Sequence, residues 1–317
     1  MNNLIAIDIG GTHFRVGLFD EQGRRLLVSE GVTDRVGGRE WMLGEIGRRF
    51  RSLKESSDYP IRACGVSFGG PVDFAAQKAT SLSASGWKDF ALSAWVRENL
   101  EVPCRLDNDA NAGAMGEFHF GAGRGTQSMF YITISTGIGG GLVAAGKILR
   151  GKDSLAGEIG HLPMTDAGVI CSCGGRGCLE TLSSGSAIAR TAQEWAERRP
   201  DAVTRLLEFR DGAGDNLTAK AVAQAAAEGD MPAGRIMRDA GRWLGRALLT
   251  VIRIVNPDKI VLGGGVAQAG KLLLDPIQEV IEELKSPTIL ATTEIVLAEL
   301  GTYSPLYGAV AMALEVS

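Results

Sequence analysis

A chain of 317 residues exceeds the usual size of a single domain, so two domains of about 150 residues each are expected. Hydrophobic residues make up 45% and charged residues 22%, a balance that allows a sizeable core and excludes a disordered or fibrous chain. With 33 basic against 37 acidic side chains the formal net charge is −4, and no run of Lys and Arg stands out, which argues against nucleic acid as a partner.

The first residues, Met1-Asn2-Asn3-Leu4-Ile5-Ala6-Ile7-Asp8, carry no basic leader and meet an acid after a short apolar stretch. They read as a strand and not as a signal peptide. Ile9-Gly10-Gly11-Thr12 follows, then a second strand over 14–19, giving strand, glycine-rich turn, strand. Residues 41–53 repeat apolar side chains at helical spacing, and 61–68 form a strand that ends at Gly69-Gly70-Pro71. A helix over 92–100, a short strand over 103–106 and a helix over 110–120 complete an α/β pattern.

Residues 130–134 then lead through Ser135-Thr136-Gly137-Ile138-Gly139-Gly140-Gly141 into 142–145, a second unit of the same kind. Two such hairpins, one per half, suggest a duplicated α/β fold with a cleft between the halves. Beyond them the chain turns mainly helical, over 186–198, 218–228 and 233–255, with a loop at 210–215. A strand over 259–262 meets Gly263-Gly264-Gly265 and a helix from Val266. The most apolar late segment, 243–255, is interrupted by Arg246 and Arg253 and is too short for a bilayer, so no membrane association is expected. Of five cysteines, Cys64 and Cys104 lie in apolar contexts and Cys171, Cys173 and Cys178 cluster. Reduced thiols that serve as metal ligands fit a cytoplasmic protein better than disulfides do.

Four segments carry chemistry. In Asp8-Ile9-Gly10-Gly11-Thr12 the backbone N–H groups and the Thr12 hydroxyl can face a phosphate chain, with Asp8 holding Mg²⁺ through water. A plain hairpin turn with a surface Asp explains this segment alone equally well. The runs 135–141 and 263–265 repeat the theme, and neither a Gly-Lys-Ser/Thr loop nor a Gly-x-Gly-x-x-Gly follows the first strand. Packing turns would explain any one of the three, but not all together.

Asp107-Asn108-Asp109 stands where a strand meets a helix. An Asn–Asp pair there can bind a polyol and take a proton from one hydroxyl, although helix capping by Asp109 is the better reading of this segment by itself. The strongest local pattern is His161 followed by Cys171, Cys173 and Cys178: three thiolates and an imidazole, the closed tetrahedral set of a structural zinc site. Its spacing matches no ordinary zinc finger. Glu158 and Glu180 flank the loop, and a zinc staple would fix both as acceptors for sugar hydroxyls. The second ring nitrogen of His161 could then donate to the same ligand. Without the zinc loop these would read as two surface glutamates.

As a set, these motifs resemble the ROK family (repressors, open reading frames and sugar kinases) over essentially the whole chain. Residues 134–161 fit its signature, with Gly137, Gly139, Gly151, Gly157 and Gly160 in place, and the Cys-x-Cys-Gly-x-x-Gly-Cys-x-Glu stretch resembles its zinc loop. The resemblance implies an actin-like ATPase (ribonuclease H-like) duplicated fold. Residues 1–120 would form the N-terminal domain, with the C-terminal helix within 303–317 packing back on it. Residues 121–302 would carry the zinc loop and part of the nucleotide site.

It further implies an ATP-dependent hexose kinase acting most simply on O6 of glucose, with ATP, Mg²⁺ and structural Zn²⁺, in a homodimer. Asp109 would be the base. Asn108, Asp109, Glu158, His161 and Glu180 would hold the sugar, and Gly10, Gly11, Thr12, Thr136 and Gly137 the phosphates. Gly263, Gly264 and Gly265, with the tail 301–314, would close the nucleotide site. Two departures bear on sugar identity and the first turn: Ser81-Leu82-Ser83-Ala84-Ser85-Gly86-Trp87 lacks the Asn that many glucose-phosphorylating members carry, and His13 stands where Lys or Asn is common. Fructose, allose and N-acetylhexosamines are alternative substrates. Two rivals remain: a family repressor, which would place a helix-turn-helix ahead of a motif that here starts at residue 8, and a non-catalytic ATP-binding protein of actin or chaperone type.

Overall fold

The computed structural model describes residues 2–81, 84–199, 204–209, 217–284 and 292–317. The loop expected at 210–215 lies outside the described residues, as do Leu82 and Ser83 of the departing loop. In chain order the first part comprises β1 (Asn3–Ile9), β2 (His13–Asp20), β3 (Arg25–Val32), α1 (Gly38–Glu55), β4 (Ile61–Phe68), the short pair β5 (Val72–Asp73) and β6 (Lys78–Ala79), α2 (Leu92–Leu100), β7 (Cys104–Asn108) and α3 (Asp109–Phe120). There follow β8 (Met129–Ile134), β9 (Ile138–Ala144), β10 (Lys147–Leu149), α4 (Leu179–Ser183), α5 (Gly185–Glu197), α6 (Arg205–Glu208), α7 (Ala219–Ala227), α8 (Met231–Val255), β11 (Lys259–Gly263), α9 (Lys271–Leu284), β12 (Glu294–Leu297) and α10 (Ser304–Leu314).

Two five-stranded sheets run in the orders β3-β2-β1-β4-β7 and β10-β9-β8-β11-β12. The pattern is the same: three strands in reverse chain order, then two later strands added on the far side. That repeat is the duplication expected from the two glycine-rich hairpins. In the first sheet β1 pairs antiparallel with β2 and parallel with β4, and β4 pairs parallel with β7.

Contacts divide the chain into two compact units, Met1–Tyr131, Gly141–Ala156 and Ala298–Ser317 against Ile132–Gly140 and Gly157–Leu297. The first unit therefore extends past Phe120. A Cβ on Gly113 of α3 would lie 2.3 Å from the Tyr131 ring, and one on Gly141 would lie 2.6 Å from Ala110 O, so both arms of the β8–β9 hairpin rest on α3.

Every residue of β1 is buried because both faces of its sheet are covered. Ile5 and Ile7 face a core shared with Met42, Ile46 and Phe50 of α1, while Leu4 and Ala6 face Leu306, Ala309 and Val310 of α10. The two-residue period of the strand thus feeds two different cores. Helix α10 sits very close to its neighbours. A Cβ on Gly65 would lie 1.8 Å from Ala309 O, and one on Gly308 would lie 1.7 Å from Ala112 O, distances that only glycine permits. No helix among the described residues is long and apolar enough to cross a membrane.

Candidate functional site

In the first unit, Asp8 sits near the end of β1 and is 7% exposed. Its Oδ1 accepts from Ser67 Oγ at 3.0 Å, and its Oδ2 lies 3.4 Å from Arg15 Nη1. Burial pushes this carboxyl up to about 6, against the pull of Arg15 and the Ser67 hydroxyl. The turn that follows is held from behind. Gly10 N donates to His13 O at 3.0 Å, Thr33 Oγ1 to Gly10 O at 2.8 Å, and Arg35 Nε to Gly11 O at 2.8 Å. Its carbonyls are thus occupied, while Gly11, Thr12 and His13 are exposed. That is the arrangement a phosphate-facing turn needs.

Strand register sets the next residues beside it: Asp8 pairs with Ser67, and Ser67 with Asp107. The helix cap corrects the sequence reading. Asn108, in extended conformation (φ −70°, ψ 163°), is the N-cap of α3, and its Oδ1 accepts from Asn111 N at 2.7 Å. Asp109 is already the first helical residue, so its carboxylate is displaced from the capping position. A Cβ on Gly69 would lie 3.7 Å from Asp109 Oδ2 and 3.5 Å from Gly10 Cα, so the carboxylate and the first glycine turn both border Gly69.

In the second unit, His161, Cys171, Cys173 and Cys178 each offer one ligand atom, and these atoms lie within 4.8 Å of one another. His161 Nδ1 is 3.5 Å from Cys171 Sγ, and Cys173 Sγ is 3.7 Å from Cys178 Sγ. Tetrahedral zinc with Zn–S near 2.3 Å and Zn–N near 2.05 Å requires S···N of about 3.5 Å and S···S of about 3.75 Å. The four residues fit zinc. The cysteines form no disulfide, and burial and the neighbouring sulfurs push the Cys178 thiol up to about 12, so a thiolate there calls for a bound cation.

With Nδ1 turned to the sulfurs, His161 Nε2 faces Glu158 Oε2 at 3.8 Å. Burial raises the Glu158 carboxyl, opposed by His161 and reinforced by Glu180. Glu180 is committed more deeply than its flanking position suggested. Its Oε2 accepts from Ile138 N at 2.9 Å, and Cys171 Sγ lies 3.9 Å from its Oε1. A Cβ on Gly137 would lie 2.4 Å from Glu180 Oε2, so that glycine is what admits the carboxylate.

The second and third glycine turns come together in this unit. Gly264 (φ +85°) lies so close to the backbone of Ile134 that a Cβ would stand 2.4 Å from its carbonyl oxygen. Gly185 N and Ser186 N, at the start of α5, donate to Ser135 O (2.7 Å) and Thr136 O (3.3 Å), leaving Ser135 and Thr136 exposed. Gly263 closes β11, and Gly265 opens the 3₁₀ turn Val266–Ala269. Sequence reasoning missed the Ser184-Gly185-Ser186 support, although Ser184 is a legible cap that accepts from Ala187 N at 3.1 Å. It also left Asp107 without a role. That residue is buried and paired with Arg150 at 2.7 Å.

Residues 4–316 match the ROK family. The chain belongs to the ROK family. The glucokinase of Streptomyces coelicolor is 32% identical over 318 residues, covering 99% of this chain and 98% of that protein. The glucokinase of Halalkalibacterium halodurans is 34% identical over 311 residues, covering 96% and 92%. The crystal structure of a ROK family glucokinase from Streptomyces griseus in complex with glucose and AMPPNP has a TM-score of 0.87 and 33% identity, covering 99% of this chain and 100% of that one. The repeated sheets are those of the actin-like ROK fold. Of the departing loop, Trp87 is buried against Phe68, with ring centroids 4.9 Å apart.

Proposed function

We propose that this ROK protein is an ATP-dependent hexose kinase that transfers the γ-phosphoryl group to a sugar hydroxyl, O6 of glucose in the first instance. The observation that carries the reading is full-length likeness to a glucokinase seen with glucose and an ATP analogue.

In this reading Asp109 accepts the proton of the attacking hydroxyl. The sugar oxygen forms its bond to the γ-phosphorus as the bond to the bridging oxygen breaks, and ADP leaves. Asn108, Glu158, Glu180 Oε1 and His161 Nε2 hold the remaining hydroxyls. The exposed turns at Gly10-Gly11-Thr12 and Thr136-Gly137 hold the phosphates, with Gly263, Gly264 and Gly265 behind the second. Asp8 would hold Mg²⁺ through water, which neutralises charge on the phosphates when bound. Zn²⁺ would keep Glu158, His161 and Glu180 in register. A homodimer in the cytoplasm completes the reading; it rests on the family resemblance and is checked by light scattering and cell fractionation.

The test is coupled ADP release over a panel of glucose, mannose, fructose, allose and N-acetylated hexosamines. Release stimulated by glucose supports the reading in full, and release with another sugar alone corrects the substrate. If no sugar stimulates ADP release, the protein is not a hexose kinase.

A further inference from the structure

We infer that Arg150 and Asp107 form a positioning pair that holds the Asn108–Asp109 junction in its working geometry. The purpose assigned to that geometry rests on the kinase reading above. Asp107, 2% exposed, uses both carboxylate oxygens. Oδ2 accepts from Arg150 Nε at 2.7 Å, while Oδ1 accepts from Asn108 N at 2.8 Å and from Asn111 Nδ2 at 3.0 Å. One side chain thus grips the backbone just before Asp109 and the helix residue two positions after it.

The pair is itself braced from the open edge of the sheet. Arg150 lies over the ring of Phe74, 3.5 Å from its centroid, in the turn between β5 and β6. From the same turn Gln77 brackets β7: its Nε2 donates to Leu106 O at 3.1 Å and its Oε1 accepts from Leu106 N at 2.8 Å. The edge strand that ends at Asn108 is therefore clamped at two successive residues.

Two considerations favour positioning over plain stabilisation. A buried ion pair contributes little net stability compared with apolar residues of equal volume. The arrangement also disfavours the fold locally. A carboxylate only accepts, so Asn111 must present its amide N–H to Asp107, and this leaves the buried Asn111 Oδ1 without a hydrogen-bond partner.

The experiment compares Arg150→Met, Arg150→Lys and the double variant Asp107→Asn/Arg150→Met with the wild type. Arg150→Met is expected to lower kcat by about 10–100-fold with KM for ATP changed by less than about two-fold, the signature of a misplaced base. Arg150→Lys recovers part of the loss. The double variant buries no unpaired charge and regains the wild-type Tm, but not the turnover. If turnover returns together with Tm, or if Arg150→Met keeps wild-type kcat, the pair is structural only and the inference is overturned. Amide hydrogen exchange over 107–115 gives a readout independent of catalysis, and is expected to quicken in Arg150→Met. A wild type without hexose-stimulated ADP release would sink the kinase reading. Unchanged exchange in Arg150→Met would sink the positioning claim, whatever the activity.

Discussion

Glu180 Oε2 accepts a hydrogen bond from the backbone N–H of Ile138 at 2.9 Å, joining the end of the His161–Cys178 loop to the second glycine turn. Removing that acceptor leaves a buried N–H unpaired, which costs about 1–3 kcal/mol. Glu180→Ala is therefore expected to weaken AMPPNP binding as well as sugar binding, read by calorimetric titration of each ligand. Glu180→Gln keeps an oxygen for Ile138 and should retain most of the nucleotide affinity. Undiminished AMPPNP affinity in Glu180→Ala would separate the two sites.

Cys173 is the exposed member of the His161–Cys171–Cys173–Cys178 cluster, so its substitution perturbs packing least. Cys173→Ser is expected to reduce zinc, measured by elemental analysis, to well below one per chain and to lower Tm by roughly 5–10 °C. Exhaustive chelation should reproduce the Tm shift in the wild type and leave it small in the variant. Normal zinc content in Cys173→Ser would remove this thiol from the ligand set.

Asp109 heads α3 with its carboxylate bordering Gly69 rather than sealing the helix, and Asn108 does the capping. Asp109→Asn should therefore fold, keep its zinc and keep its Tm within a few degrees, while turnover drops by about 10²–10⁴-fold. A variant with near-normal turnover would exclude Asp109 as the proton acceptor. A large loss of Tm would show that the side chain is structural.

Asp8 carries a linked prediction for stability. Between the ordinary value of 3.8 and about 6, the folded protein holds a proton that the unfolded chain releases. The contribution is favourable below 3.8 and is lost as pH rises through about 6, on the order of 2–3 kcal/mol in metal-free protein. Asp8→Asn should thus raise Tm at pH 7 in the presence of EDTA and flatten the fall in stability between pH 4 and pH 6, while abolishing Mg²⁺-dependent turnover. A Tm lowered at pH 7 would contradict the assigned cause of the shift.

What the sequence revealed follows from range along the chain. His161 and the three cysteines fall within 18 residues, so their types and spacing sufficed to pick out a cluster whose ligand atoms the fold brings within 4.8 Å of one another. The duplicated sheets were legible because each hairpin announces itself locally, in Asp8 to Thr12 and again in Ile134 to Gly141. The cap of α3 was misassigned by one residue, since Asn and Asp are both good caps and only backbone dihedrals distinguish them. The pairing of Asp107 with Arg150 spans 43 positions, and nothing in either neighbourhood signals the other. The extent of the first unit was hidden for the same reason: Tyr131 and Gly141 join it through contacts with α3.

The burial of α10 against β1, β4 and α3 also has a kinetic side. Leu306, Ala309 and Val310, which cover Leu4 and Ala6, are synthesised about 300 residues after them. During synthesis one face of the first sheet must therefore stay bare while about 150 intervening residues of the second unit emerge and fold. That face is where a nascent chain of this protein would recruit a chaperone, and where truncation before α10 would expose a sticky apolar surface.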